Sequence, residues 1–435
     1  MQTLLGRAKG RPLDVTINWG VPVSTMTLLS SHIKQLRSLD VTGWRELQKL
    51  SELDPEPLPL LHALTINIAS CDSYENRGIP PPPSLLNNAV NLKIFRFQSQ
   101  SWWSPCLYHF AFPNLLSFYL SAAPVAAFSA EKLLDFLEAS PMLQTVHIKI
   151  IARISPIDTP ERRIVILPNV KDFNLLMNDG NHGYWLATSI SCPSASHTTF
   201  TQNKDTRDMS PEEFFPDSGQ LDAIVRRCTR GPVEEVVLES TATSIVTCTL
   251  TFRSSDDTVI KLCFRDTVAL NYDEEVDVQA YAFYQAVQKI RDHPRTDIKR
   301  LRISHGFKYG EFPEIANSIA ELFQFLGPLD ELTIFSCDIL PFFPSFFGAQ
   351  DDYVREPVVF PRIKELTIRH PVSPDEICTT AIVELAKSHH ALGMPLERVM
   401  FCAASMPPGM EEGVRPWVGS VEHFYEEWES ETDSS

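Results

Sequence analysis

Leu329-Asp330-Glu331-Leu332-Thr333-Ile334 and, thirty-four residues on, Ile363-Lys364-Glu365-Leu366-Thr367-Ile368 share one spacing of apolar residues, h-x-x-h-x-h. The same spacing flanks them as Ile298/Leu301/Ile303 and Leu396/Val399/Phe401. Towards the N-terminus it recurs as Leu36/Leu39/Val41, Leu61/Leu64/Ile66, Leu92/Phe95/Phe97, Leu115/Phe118/Leu120, Leu143/Val146/Ile148, Val170/Phe173/Leu175, Ala195/Thr198/Phe200 and Val233/Val236/Leu238. Most intervals between central residues lie between 23 and 38, with one of 65 between Val236 and Leu301. A near-fixed period of this length is the signature of stacked structural repeats. In units such as Leu301-Arg302-Ile303 and Leu366-Thr367-Ile368, alternation puts two apolar residues on one face and the intervening residue on the other, which predicts a short strand.

Apolar residues three and four apart predict helices between strands at Ser129 to Ala139, Gln220 to Arg230, Val276 to Arg291, Pro313 to Phe325 and Pro374 to Ala391. Pro374-Asp375 suits the start of the last, which places Ile377, Ala381, Leu385 and His389 on one side. Turn formers precede many strands, as in Phe112-Pro113-Asn114, Leu167-Pro168-Asn169, Gly231-Pro232, Gly327-Pro328 and Phe360-Pro361. The expected fold is therefore α/β: an irregular leucine-rich-repeat solenoid, or horseshoe, over residues 1–420. Parallel strands would line its concave face, with helices and loops on the convex face. Asn178, Asn203 and Cys337 fit the closing position of such repeats. Two β-rich runs, Ser244 to Phe252 and Thr258 to Phe264, fill the long interval and predict an inserted β-hairpin at about 244–264. Pro80 to Pro83 reads as an extended linker and Phe342 to Arg355 as a loop. Residues 421–435 read as an acidic, disordered tail.

Composition narrows the function. A net charge of -17 disfavours nucleic acid, whose backbone is bound through lysine and arginine, and an anionic membrane surface alike. Nine cysteines with no C-x-x-C pair, and no N-x-S/T acceptor, argue against a secreted disulfide scaffold and for a cytoplasmic or nuclear protein. No apolar run is long enough to span a bilayer and no signal-type segment opens the chain. G-x-S-x-G, phosphate-loop, H-E-x-x-H and EF-hand patterns are missing, so no catalytic residue, metal ligand or cofactor is expected. Gly6 to Arg11 reads as a surface turn, and His389-His390 as structural, since neighbours on a helix point about 100° apart. Trp102-Trp103 suits packing under a loop better than anchoring a partner.

The residues beside each central strand position would cover the concave face. They include the cations Arg96, Arg300, Arg302 and Arg398 and the anions Asp40, Asp172, Glu235, Glu331 and Glu365, a balance of 4 - 5 = -1. Such a mixed surface suits a protein partner. Arg96, Tyr119, His147, Asn174, Arg300, Arg302, Glu331, Glu365, Arg369 and Arg398 are its candidate binding residues. The alternative is a small-molecule sensor or enzyme with a pocket beneath the inserted hairpin.

Four segments carry a family likeness: Phe112-Pro113-Asn114-Leu115 with Leu120, Ile190-Ser191-Cys192-Pro193-Ser194 through His197-Thr198, Thr229 to Val236, and Cys248-Thr249-Leu250-Thr251-Phe252. Through them the chain resembles the repeat region of fungal F-box proteins, the large leucine-rich-repeat families of mushroom-type fungi. The resemblance implies a substrate receptor of a Skp-cullin-F-box ubiquitin ligase, whose repeats hold the protein to be ubiquitinated. No Leu-Pro-x-Glu helix start of an F-box is found between Met1 and Leu36, and Arg45 to Leu53 is only a short amphipathic stretch. A Skp-type adaptor is therefore expected as a partner only if an F-box lies upstream.

Overall fold

A computed structural model describes residues 10–51, 58–68, 89–99, 112–122, 128–150, 154–155, 163–178, 180–204, 215–242, 246–266, 272–292, 298–304, 319, 322–323, 326–335, 362–370, 376–403 and 409–424. Where one repeat domain is expected, the chain gathers into two compact units. The first comprises Met1–Lys204 with Ala223–Arg230, and the second Asp205–Asp222 with Gly231–Ser435.

In the N-terminal unit the strands β1 (Leu13–Ile17), β2 (Leu36–Thr42), β3 (Ala63–Ile68), β4 (Ile94–Ser99), β5 (Ser117–Ala122), β6 (Thr145–Ile150), β7 (Asp172–Met177) and β8 (His197–Lys204) lie side by side in chain order, all parallel. Central residues of successive repeats are register partners: Leu39 with Leu64, then Phe95, Phe118, Val146, Phe173 and Thr198. That coincidence is what a fixed period demands, because a slip of one residue would turn every apolar side chain out to water.

Every residue of the twelve apolar triads is buried, the most exposed being Ile298 at 4%. The turn before each strand repeats as well. Leu61 N donates to Leu58 O, Leu92 to Ala89, Leu115 to Phe112, Leu143 to Ser140, Val170 to Leu167 and Ala195 to Cys192. Proline holds the second position of five of these six turns, at Pro59, Pro113, Pro141, Pro168 and Pro193, where its fixed φ suits the geometry. Neighbouring turns are stitched by asparagine: Asn91, Asn114 and Asn169 donate from Nδ2 to the carbonyls of Pro59, Val90 and Pro141 at 2.9, 3.1 and 3.0 Å. Helices α1 (Val23–Ser30), α2 (Trp44–Ser51), α3 (Ala130–Glu138) and α4 (Gly180–Thr188) occupy connections. The buried stripe of α3, Leu133, Leu134, Phe136 and Leu137, brings Phe136 to 4.6 Å from Phe118 between ring centroids. Phe95 and Phe112 complete that cluster.

The C-terminal unit repeats the plan with one change. Helix α5 (Ser218–Cys228), whose residues from Ala223 onward count with the first unit, precedes β9 (Val233–Ala242), β10 (Val246–Ser254) and β11 (Val259–Asp266). After helix α6 (Tyr272–Asp292) come β12 (Arg300–Ser304), β13 (Leu329–Phe335), β14 (Ile363–His370), β15 (Arg398–Ala403) and β16 (Ser420–Phe424). β9, β12, β13, β14, β15 and β16 are parallel neighbours, whereas β10 pairs antiparallel with both β9 and β11. The predicted hairpin thus exists, but its strands extend the sheet in its own plane; the reason is that both faces of β10 and β11 carry buried residues, Leu250, Phe252, Ile260 and Leu262 on one side and Thr249, Thr251 and Cys263 on the other.

Helix α6 covers β9 and β10 with Ala282, Phe283, Ala286, Val287 and Ile290. Helix α7 (Glu376–Ala391) buries Ala381, Ile382, Leu385, Ala386 and His389 and meets α8 (Met410–Val414). Chain order ends with β16, where the disordered tail was expected to begin at Val421. The tail reading is corrected for residues 421–424, since Arg398 to Cys402 offer the last repeat a free edge to pair. Gly419 approaches the Glu397 carbonyl so closely that a Cβ would sit 2.6 Å from its oxygen. Strand β1, also absent from the sequence reading, lacks the full apolar triad that marks the other repeat strands, and helices α1, α4 and α8 are likewise not among those expected from the sequence.

His389 is the one buried histidine described here, and burial pushes its imidazole below the ordinary range, with the 3.3 Å contact to Met394 O acting in the opposite sense. The folded chain then binds fewer protons than the unfolded one beneath the ordinary value of 6.5. Its contribution to stability is whole above that pH and is lost as pH falls through the lowered folded value. Urea midpoints measured between pH 7.5 and 5 should fall on acidification, and the fall should shrink in His389→Leu.

Candidate functional site

Parallel strands in register turn their odd positions into rows. In the N-terminal unit one row runs Asp40, Thr65, Arg96, Tyr119, His147, Asn174, Thr199, and the row two residues further along runs Thr42, Asn67, Gln98, Ser121, Lys149, Leu176, Thr201. A groove of about 540 Å³ lies over their middle, lined by side chains from β3 to β7. Its floor is the strand backbone about Ile66, Phe97, Leu120 and Ile148, and its polar walls are Arg96, Gln98, Tyr119, Ser121, His147, Lys149 and Asn174.

The first row is ordered by ring contacts. The Arg96 guanidinium lies 4.9 Å from the Tyr119 ring centroid, and the His147 ring lies 5.0 Å from Tyr119 on the next strand. His147 Nε2 is 2.9 Å from Asp172 Oδ2. Arg96, Gln98 and Lys149 are exposed, whereas Tyr119, Ser121, His147 and Asn174 are half-buried. Four of the ten residues expected to bind a partner, Arg96, Tyr119, His147 and Asn174, therefore meet in one concavity. Lys149, Gln98 and Ser121 lie outside the candidate set because, on these strands, only the positions flanking each central residue enter it. The next odd position of the same strands would have found them.

The remaining six, Arg300, Arg302, Glu331, Glu365, Arg369 and Arg398, stand on the corresponding face of the C-terminal unit. Their charges are spent internally. Glu235, with a side chain 2% exposed, has Arg302 Nε at 3.0 Å, Arg253 Nε at 3.8 Å and Arg300 Nη1 at 3.9 Å. Arg398 bonds Glu365 and lies 3.7 Å from Glu422, while Glu331 accepts from Thr333 Oγ1 at 2.9 Å. Carboxylates about Arg398 hold its guanidinium above the usual range. Thr251, Thr333 and Thr367 in the adjoining row are buried. This face is a self-compensated ionic ladder.

Among the described residues, no group of three or more His, Cys, Asp or Glu is placed to hold a metal ion, and no helix is long and apolar enough to cross a membrane. Cys192, Cys228, Cys248, Cys263 and Cys402 are buried free thiols. Burial pushes the Cys228 thiol up to about 11 and those of Cys192 and Cys248 upward too, so they stay protonated and poorly nucleophilic. Trp102-Trp103, Pro80 to Pro83, Phe342 to Arg355, Cys337 and residues 425–435 lie outside the described residues, as do Gly6 to Lys9 and most of Pro313 to Phe325. In comparisons with known proteins, no family model matches this chain, and no curated protein matches it either.

Proposed function

We propose that the chain is a non-catalytic protein-interaction scaffold of leucine-rich-repeat type, with the groove over β3 to β7 as part of its working face. The observation that carries the reading is that five consecutive in-register strands deliver their polar side chains to one open concavity. Repeat arrays use such row-by-row surfaces to hold macromolecules. A ring-stacked row of Arg96, Tyr119 and His147 has the composition of a binding hot spot, aromatic and arginine side by side. In keeping with the family likeness, the partner is a protein presented to a Skp-cullin-F-box ubiquitin ligase, with the repeats as its receptor; a Skp-type adaptor joins the assembly only if the native protein carries an F-box.

Two affinity purifications from the source cell test this. Wild-type chain and Ser121→Trp, which puts a bulky ring into the groove, are compared by quantitative mass spectrometry. Groove occupancy predicts that a defined set of proteins drops at least about tenfold with Ser121→Trp, a loss of roughly 1.4 kcal/mol or more in binding. An unchanged set would refute the face. Recovery of a Skp-type adaptor with both chains would support the ligase assignment.

A further inference from the structure

We infer that the groove over β3 to β7 receives an extended acidic segment of a partner protein, with two carboxylates spaced one residue apart. This rests on the interaction-scaffold reading above and adds the chemistry of the occupant. The chain carries -17 overall, yet the groove lining includes Arg96 and Lys149 and not one Asp or Glu, while His147, also in the lining, has its Nε2 on the Asp172 carboxylate at 2.9 Å. Among the described residues, Arg96 meets only the Tyr119 ring, and neither it nor Lys149 is paired with a carboxylate. The arginines of the C-terminal unit differ: Arg253, Arg300 and Arg302 surround Glu235, and Arg398 bonds Glu365. Uncompensated cations in an acidic protein are the complement of an anionic partner.

The neutral lining is compatible with this: Gln98, Ser121, Tyr119 and Asn174 each carry an N–H or O–H able to donate to a carboxylate. Ser121 sits on β5 between Gln98 of β4 and Lys149 of β6 as register partners, so its small side chain leaves space over which longer donors converge. Arg96 and Lys149 stand two strands and two positions apart, about 12 Å between Cα atoms from ordinary sheet spacings. Alternate residues of an extended segment face one side about 7 Å apart, close enough for two of them to be met by flexible side chains anchored at that separation. Tyr119 has Arg96 and His147 against its ring, so stacking of an aromatic ligand is disfavoured and recognition falls to the polar edges.

The test uses the full chain and three fluorescein-labelled peptides: Gly-Glu-Ala-Glu-Gly, its Gln counterpart Gly-Gln-Ala-Gln-Gly, and Gly-Ser-Ala-Ser-Gly phosphorylated on both serines. Anisotropy at low salt should show the Glu peptide bound at least about tenfold more tightly than the Gln peptide, as two charge-assisted contacts would give. Arg96→Gln/Lys149→Gln should abolish that preference while thermal unfolding stays unchanged, both residues being exposed. Lys364→Gln, at a cation paired with Asp330 in the other unit, should leave it intact. Equal affinity for the Glu and Gln peptides overturns the inference, as does a preference that survives in the double variant. Binding of the phosphopeptide alone also overturns it and assigns the groove to phosphate. The two readings fail separately: if Ser121→Trp strips the cellular partners while the Glu peptide goes unbound, the face stands and the acidic assignment falls.

Discussion

Replacing Phe118 with Ala lowers the stability of the N-terminal unit by about 3–5 kcal/mol, the cost of emptying an aromatic site in a close-packed core. The ring is fully buried and is held at 4.6 Å from Phe136 and 6.1 Å from Phe95. Those contacts join two strands to α3, so the cavity cannot be closed by shifting one side chain. Urea denaturation monitored by hydrogen exchange should show β4, β5, β6 and α3 opening at much lower denaturant in Phe118→Ala. The neighbouring Ser117→Ala, half-buried on the other face, should move the midpoint by no more than about 0.5 kcal/mol equivalent. Equal, small effects from both substitutions would mean that this aromatic cluster does not form.

The second large effect is expected at Glu235→Gln. Removing a buried charge from its partners leaves three guanidinium groups facing one another without an anion. Loss of one member of a buried ion pair costs about 3–5 kcal/mol, and the half-exposed arginines place this case near 3 kcal/mol, because solvent screens them. By contrast Glu365→Gln, at a pair where both partners are about a third exposed, should cost about 1 kcal/mol or less. Exchange protection of β9, β10 and β12 reports the first, and a shift no larger than that of Glu365→Gln would show that Glu235 does not organise the ladder. Because Arg300 and Arg302 face the same Glu235, substitutions there are expected to lower stability as well, so any change in partner binding must be read against a stability control.

The strands were legible because each triad obeys two constraints at once. Phe118 and Leu120 must alternate to face one core, and Leu115 must close the turn beneath them; few other arrangements bury three residues at that spacing. The triads therefore marked the buried positions of β2 through β9 and β12 through β15. The terminal strands lack them. Leu13 and Val15 of β1 are only half-buried, and β16 has Val421 as its single register partner to the apolar row, ending in an exposed Phe424. Edge strands need less apolar area, so their signal is weaker. Hairpin strands β10 and β11 were seen, but their place in the sheet was not, because pairing depends on which edges lie free rather than on local pattern.

The candidate site was half legible. Register converts sequence position into rows, so Arg96, Tyr119, His147 and Asn174 could be aligned from their triads alone. Which cations are compensated could not, since Arg302 and Glu235 are 67 residues apart and meet only through pairing of β9 with β12. Local spacing predicts faces, and charge balance on a face is a long-range property.

The claim that the open face of the N-terminal unit is the working surface is tested most directly by site-specific photocrosslinking in the source cell. A photoreactive residue is placed at Ser121 in the groove or at Lys132 on the exposed side of α3. The account predicts discrete protein adducts from position 121 that vanish in the presence of excess unlabelled wild-type chain, and none from position 132. Adducts that arise equally from both positions, or from position 132 alone, would contradict it.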